Sequence, residues 1–142
     1  MKNLILAVAA LFAVEAGAQD RAITASDLPK DAQTFLKQHF KTATVEGAEI
    51  DLDGTKKTFE VRMSDGTEIE FDSNGIWKEV DAKNKAIPSE FISSEIRNYL
   101  TANYPNQRVT KISKGRRGVE VELMNGTELD FDNDGKFVRL DR

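Results

Sequence analysis

The chain has 142 residues, no cysteine and a formal net charge of −4 at pH 7. The lack of cysteine excludes disulfides, thiol catalysis and thiolate metal sites, so a hydrophobic core must supply the stability. The mildly acidic balance argues against nucleic acid as a partner, because phosphate binding requires clustered Lys and Arg.

Residues 1–18 have the features of an export signal. Lys2 supplies the positive start, residues 4–14 form a short apolar run, and Ala16-Gly17-Ala18 matches a cleavage pattern. The apolar run is shorter than the roughly 20 residues that a membrane-spanning helix needs. We therefore expect cleavage before Gln19, a periplasmic or secreted protein, and no membrane span after cleavage. Residues 19–27 are then an N-terminal extension.

The first half of the remaining chain begins with a predicted helix. Leu28-Pro29 opens it, with Ser26 or Asp27 as its cap. Its apolar stripe follows the helical period and consists of Ala32, Phe35, Leu36 and Phe40. The period then changes to two, which predicts antiparallel strands near residues 43–52, 56–63, 67–73 and 76–81.

The second half repeats this order. Ile87-Pro88-Ser89 opens another predicted helix, about one turn longer than the first. Strands are predicted near residues 107–114, 117–124, 127–133 and 136–141. Residues 59–80 and 119–140 match at a constant offset of 60, with eight identical positions among 22. Such a fixed period indicates one supersecondary unit used twice.

We therefore predict an α+β fold built as a tandem repeat, each repeat packing one helix on a four-stranded antiparallel sheet. The first repeat spans residues 28–82, a linker spans 83–86, and the second repeat spans 87–142. Each half has few apolar anchors for its size, so the two halves should share a core.

The first hairpin of each repeat has a loop whose length sets the strand register. A three-residue loop, Ser64-Asp65-Gly66, pairs Val61 with Ile69, whereas a two-residue loop would mix apolar and charged side chains on one face. The three-residue loop requires a positive φ at Gly66 and at the equivalent Gly126.

The second hairpin is predicted to have a two-residue loop, Asn74-Gly75. This loop pairs Ile69 with Val80 and places Trp77 on the outward face of the sheet. The equivalent loop in the second half places Phe137 on the outward face as well.

The outward face also carries like-charged cross-strand pairs, Glu60 with Glu70 and Glu120 with Asp130. Such pairs destabilise a sheet, and exposed aromatic residues often dominate binding. We predict a surface that binds a basic protein or peptide, formed by Trp77, Phe137, Glu60, Glu70, Glu120 and Asp130. The alternative explanation is that these acids are ordinary solvated residues and that Trp77 is buried by the linker or the other half.

Calcium or another cation is the alternative ligand for the stacked carboxylates. Three Asp-x-(Asp/Asn)-Gly stretches resemble the start of calcium loops, but they lack the distal Glu and lie where hairpin turns are needed. His39 is the only histidine, and the sequence places no Ser or Asp to form a relay with it. We therefore predict a protein that is not an enzyme, with no cofactor and no dedicated metal site.

The chain resembles the PepSY-like family of exported bacterial proteins in two stretches, GTEIEFDSNGIWKEV and GTELDFDNDGKFVRL, and in the Leu-Pro pair at a helix start. The resemblance covers residues 28–142. It implies a fold like that of the beta-lactamase inhibitor protein, with a helix on a four-stranded antiparallel sheet in each repeat. It also implies a non-enzymatic binding or inhibitory role, often proposed for envelope peptidases, and no catalytic residues to carry over.

Overall fold

The computed structural model of the protein describes residues 19–141. The predicted export signal, residues 1–18, lies outside this part. The described strands and helices are, in chain order, β1 (Gln19–Ile23), α1 (Lys30–His39), β2 (Val45–Asp53), β3 (Lys56–Met63), β4 (Glu68–Phe71), β5 (Trp77–Asp81), α2 (Ser94–Asn103), β6 (Val109–Lys114), β7 (Val119–Leu123), β8 (Glu128–Phe131) and β9 (Phe137–Leu140). Neither described helix has the length and apolar character needed to cross a membrane.

All nine described strands form one antiparallel sheet, in the order β1 to β9. The predicted tandem repeat, with each helix on its own four-stranded sheet, is therefore wrong. The two halves merge because β5 pairs directly with β6, where Val80 stands opposite Ile112. The N-terminal extension adds a further strand, since β1 pairs with β2. The boundaries at residues 28–82, 83–86 and 87–142 stay a prediction.

Both helices pack on the same face of this sheet. Their buried residues join one core cluster with alternate residues of the strands: Ala32 and Leu36 from α1, and Ile96 and Leu100 from α2. The predicted shared core is thus confirmed. Polar side chains occupy most of the opposite face, which we call the open face.

The helix ends differ in detail from the prediction. Both α-helices have ten residues, so the second is not longer than the first. Pro29 is the N-cap of α1, whereas Asp27 accepts the backbone N–H of Thr24 at 3.0 Å within a 3-10 turn. α2 begins only after Ser93, whose hydroxyl accepts a first-turn N–H at 3.4 Å. A hydroxyl acceptor at this position satisfies a donor that the helix leaves free.

The first hairpin of each repeat has the predicted geometry. Gly66 has a φ of 93° and Gly126 a φ of 91°. The strands that flank Gly66 pair Val61 with Ile69, as the three-residue loop requires. Alternation and turn chemistry therefore predicted this register correctly.

The second hairpin differs from the prediction in its loop. Asp72 donates its N–H to the carbonyl of Ile76 at 2.8 Å, so the loop holds three residues and not two. The strand pairing then skips Lys78, a β-bulge that restores the predicted pairing of Ile69 with Val80. The longer loop and the β-bulge each shift the register by one residue, in opposite directions. The pairing therefore agrees with the prediction away from the turn and differs only for the residues next to it.

Trp77 and Phe137 are the residues displaced. Trp77 stands opposite Phe71, a fully buried core residue, and Phe137 stands opposite Phe131. Residues in direct register share one face of a sheet. The predicted outward position of both aromatic residues is therefore wrong, and they lie on the face covered by the helices.

Candidate functional site

One line of direct cross-strand partners crosses the open face from β2 to β9. In strand order its members are Glu49, Glu60, Glu70, Glu79, Ser113, Glu120, Asp130 and Arg139. We call its six carboxylate residues the acidic row. Like charges in direct register repel, at a cost of tenths of a kcal/mol to about 1 kcal/mol per pair.

A second line on the open face lies beside the acidic row and is largely neutralised. Arg62 stands opposite Glu68, and Lys111 stands opposite Glu122. Lys83 also contacts the Glu68 carboxylate at 3.0 Å. The excess of negative charge is therefore concentrated along the acidic row.

Glu60 lies between two other acids, Glu49 on β2 and Glu70 on β4. Burial raises the pKa of Glu60, and repulsion from Glu70 and then Glu49 raises it further. Among residues 19–141, no Lys or Arg nitrogen lies within 4.0 Å of these three carboxylates. This segment of the acidic row is thus uncompensated within the described chain.

An open groove of about 390 Å³ runs beside this segment. The residues that line it include Glu49, Glu60, Glu70 and Glu79. Ala22 and Gly47, both small, lie at the end nearest β1. Sites for small organic ligands are mostly apolar and enclosed, and this open, acid-lined groove differs from them in both respects.

Asp51 adds negative charge at the β1 edge. It stands opposite Asp20, and one of its carboxylate oxygens is buried without a hydrogen-bond partner in the described part of the chain. Burial raises the pKa of Asp51, and the neighbouring Asp20 carboxylate raises this pKa further.

The other end of the acidic row brings three carboxylates together. Glu120, Asp130 and Asp141 each place an oxygen within 4.8 Å of the others. Burial raises the pKa of Glu120, and repulsion from Glu128, Asp130 and Asp141 adds to this shift. The Arg139 guanidinium compensates part of the charge, since it lies 3.0 Å from the Asp130 carboxylate.

Trp77 and Phe137 lie away from these acids. The Trp77 ring contacts Phe91 with a centroid distance of 5.1 Å, and the Lys114 ammonium lies 4.1 Å from the Trp77 ring centroid. Phe137 stacks on Tyr99 of α2 at 4.8 Å. The structure thus collects the four predicted acids on one face and separates them from both aromatic residues. The role of the aromatic residues in partner binding stays a prediction.

The helix-covered face holds the other groups of chemical interest. Burial lowers the pKa of Lys114, although the nearby Asp72 carboxylate opposes this shift. The His39 ring packs between Phe35 and Phe91, at centroid distances of 4.8 and 5.3 Å. These contacts give His39 a packing role at the C-terminal end of α1.

Sequence reasoning missed Glu49, Asp51 and Asp141 as members of the acidic surface. Each alternates with an apolar neighbour, Ile50 or Leu140, so the direction of its side chain could have been inferred from the period of two. For Glu49 and Asp51 the missing step was the register of β2 against β3, which the turn signal Asp53-Gly54 could have fixed, since Asp53 pairs with Lys56 across a two-residue loop.

Comparison with known proteins places the chain among exported bacterial proteins. Residues 57–139 match the family described as beta-lactamase-inhibitor-like, PepSY-like. A Bacteroides thetaiotaomicron protein, provisionally described as a calcium-regulated periplasmic protein, has a solved structure that is 38% identical, with a TM-score of 0.83. That match covers 87% of this chain and 97% of the other.

Two solved structures from Bacteroides vulgatus ATCC 8482, provisionally described as periplasmic proteins, are also similar. They are 36% and 38% identical to this chain, with TM-scores of 0.83 and 0.82. Each match covers 87% of this chain, and 97% and 99% of the respective relatives. The search of curated proteins found no match.

Proposed function

The chain belongs to the beta-lactamase-inhibitor-like, PepSY-like family and is a periplasmic protein, and from this premise we propose that it is a non-catalytic protein that binds a basic protein or peptide on the acidic row. The family resemblance and the export predicted from the sequence are thereby confirmed. Inhibition or regulation of an envelope peptidase is the form of this activity that the family resemblance implies.

The uncompensated repulsion among Glu49, Glu60 and Glu70 supports this proposal most strongly. Neighbouring strands lie about 4.8 Å apart, so the row presents a carboxylate at nearly every such step. Lys or Arg side chains of a partner that follows this line would convert each repulsion into an attraction. Charge complementarity of this kind favours encounter and selects against acidic partners.

A lysine-rich synthetic peptide tests the proposal by isothermal titration calorimetry. The double variant Glu60→Gln, Glu70→Gln should bind the peptide more weakly than the wild type, and added salt should weaken wild-type binding. The matched control is Glu90→Gln, Glu95→Gln, which makes the same change in net charge at exposed positions outside the open face. Equal weakening by both double variants would show that net charge, and not the acidic row, governs binding.

Divalent-cation binding is a second candidate function, favoured by the three carboxylates of Glu120, Asp130 and Asp141. Calcium takes six to eight oxygen ligands, and three bidentate carboxylates with water can supply them. The provisional description of a solved relative as calcium-regulated agrees with this candidate.

Thermal melting in millimolar calcium, compared with melting in chelator, tests the cation site. A ligand that binds only the folded protein raises its stability, by about 2.7 kcal/mol at a hundred times the dissociation constant. Asp141→Asn should remove the rise, and Asp53→Asn, a change at an exposed acid outside the cluster, should retain it. An unchanged wild-type midpoint would contradict cation binding.

A further inference from the structure

The β9 strand forms one edge of the sheet and exposes apolar side chains. The exposed fractions are 37% for Phe137, 51% for Val138 and 55% for Leu140. Exposed apolar edge strands are templates for pairing with another strand, and proteins usually protect them with charge or cover. The opposite edge has no comparable apolar surface, because β1 exposes the charged Asp20 and Arg21, whereas β9 adds three exposed apolar side chains to its charged Arg139.

The sequence repeat shows what kind of element covers such a strand. Leu140 corresponds to Val80 of β5 at the repeat offset of 60, and Val80 is fully buried. Val80 owes this burial in part to β6, which pairs antiparallel with β5 through Ile112. In the described chain β9 has the same apolar character but no strand on its outer side.

The backbone of β9 has groups available for such pairing. Asp141 donates its N–H to the carbonyl of Glu128 at 2.8 Å, so the backbone groups of Asp141 point toward β8. Backbone groups alternate in direction along an antiparallel strand. The N–H and C=O of Leu140 therefore point to the open edge.

We propose that β9 pairs antiparallel with β9 of a second copy of this chain, about a twofold axis at Leu140. The two Leu140 residues then exchange both backbone hydrogen bonds and bring their side chains together on the helix-covered face. Arg139 of each copy stands opposite Asp141 of the other. The two sheets become one continuous sheet with all helices on the same side.

The charges of Arg139 and Asp141 select this register and this partner. Because the pairing is symmetric, Arg139 of each copy faces Asp141 of the other. The dimer therefore contains two oppositely charged cross-strand pairs, and both are favourable. A shift that centres the axis on Arg139 would instead oppose two like charges. The guanidinium has five N–H donors, so Arg139 can contact Asp141 of the second copy and keep its 3.0 Å contact with Asp130.

Sedimentation of the protein purified from the cell envelope, at rising concentration and in chelator, tests the dimer. Two single charge reversals, Arg139→Asp and Asp141→Arg, should each raise the dissociation constant about tenfold, because both cross-strand pairs become repulsive. An equimolar mixture of the two variants should restore association, since every pair in the mixed dimer is again favourable. Arg21→Asp, the same reversal on the β1 edge, should leave association unchanged.

A variant at Leu140 tests the pairing without changing charge. Leu140→Pro removes the N–H that points to the open edge and should abolish the dimer while the variant stays folded by circular dichroism. A wild-type protein that stays monomeric at about 1 mM would overturn the proposal. So would a dimer that tolerates both reversals, or a mixture of the variants that does not associate. A monomer that binds an extended peptide along β9 would show that the edge has a different occupant.

Discussion

Replacement of Glu60 by Gln should stabilise the folded protein at neutral pH. Glu60 is flanked by Glu49 and Glu70 in direct register, and each like-charged pair costs up to about 1 kcal/mol. Glu60 is only partly covered and remains largely open to solvent, so screening reduces this cost, and we expect a gain of about 0.5–1 kcal/mol from removing both repulsions. For a domain of this size the thermal midpoint should rise by about 2–6 °C.

The gain at Glu60 should depend on pH in a defined direction. Burial and repulsion raise the pKa of Glu60 in the folded protein. The folded state then binds the proton more tightly than the unfolded state, so stability is lost as pH rises from the unfolded pKa through the folded pKa. Wild type and Glu60→Gln should therefore be equally stable near pH 3, below the usual Glu pKa of about 4.3, and diverge as the pH rises.

Thermal unfolding followed by circular dichroism, at about pH 3 and pH 7 and at low and high salt, measures this difference. Glu122→Gln is the matched control, because Glu122 has Lys111 on one side and Glu128 on the other, and the two interactions offset each other. Equal gains in both variants would refute the role of the acidic row. A gain at Glu60 that persists at low pH would refute its electrostatic origin.

Three further changes test the packing that supports this surface. Gly75→Ala should lower the free energy of unfolding, measured in urea, by about 2–4 kcal/mol, because a Cβ there would lie 2.8 Å from a side-chain atom of the α1 N-cap. Gly54→Ala has no such contact and should lower it only by the left-handed backbone penalty of about 1 kcal/mol. Trp77→Ala should lower stability by about 1–3 kcal/mol through lost packing, and unchanged binding of the lysine-rich peptide would remove Trp77 from the predicted partner surface. Leu129→Ala should cost about 2–5 kcal/mol because Leu129 is fully buried, and Leu140→Ala, at the exposed edge, should cost less than about 1 kcal/mol.

Local patterns in the sequence were sufficient to predict the registers of β3 with β4 and of β7 with β8, and those of β4 with β5 and of β8 with β9 away from their turns. The alternation around Val61 and Ile69 has only one loop length that keeps apolar residues on one face, and that loop demands Gly66. The like-charged pairs Glu60 with Glu70 and Glu120 with Asp130 follow from the same registers and are present in the structure.

Tertiary contacts decided the features that the sequence did not predict. The loop that contains Gly75 packs against Pro29 at the start of α1, a contact that a reader of the hairpin alone cannot infer. The resulting three-residue loop, with its β-bulge, moved Trp77 to the other face. The pairing of β5 with β6 likewise depends on where α2 directs the chain, since the alternation in each strand is the same for an edge strand and an interior one.

Ser113 divides the acidic row into two parts with different surroundings. Its neutral side chain stands between Glu79 and Glu120, so the acids of β2 to β5 and those of β7 and β8 do not meet in direct register. The first part lines the groove, and its Glu49, Glu60 and Glu70 carboxylates carry the uncompensated charge that suits a basic polymer segment. The second part lies beside β9, where Asp141 belongs both to the carboxylate cluster and to the proposed pairing of two copies. A cation bound at Asp141 would therefore compete with the second copy but not with a partner in the groove, so each proposal can be tested while the other is held constant.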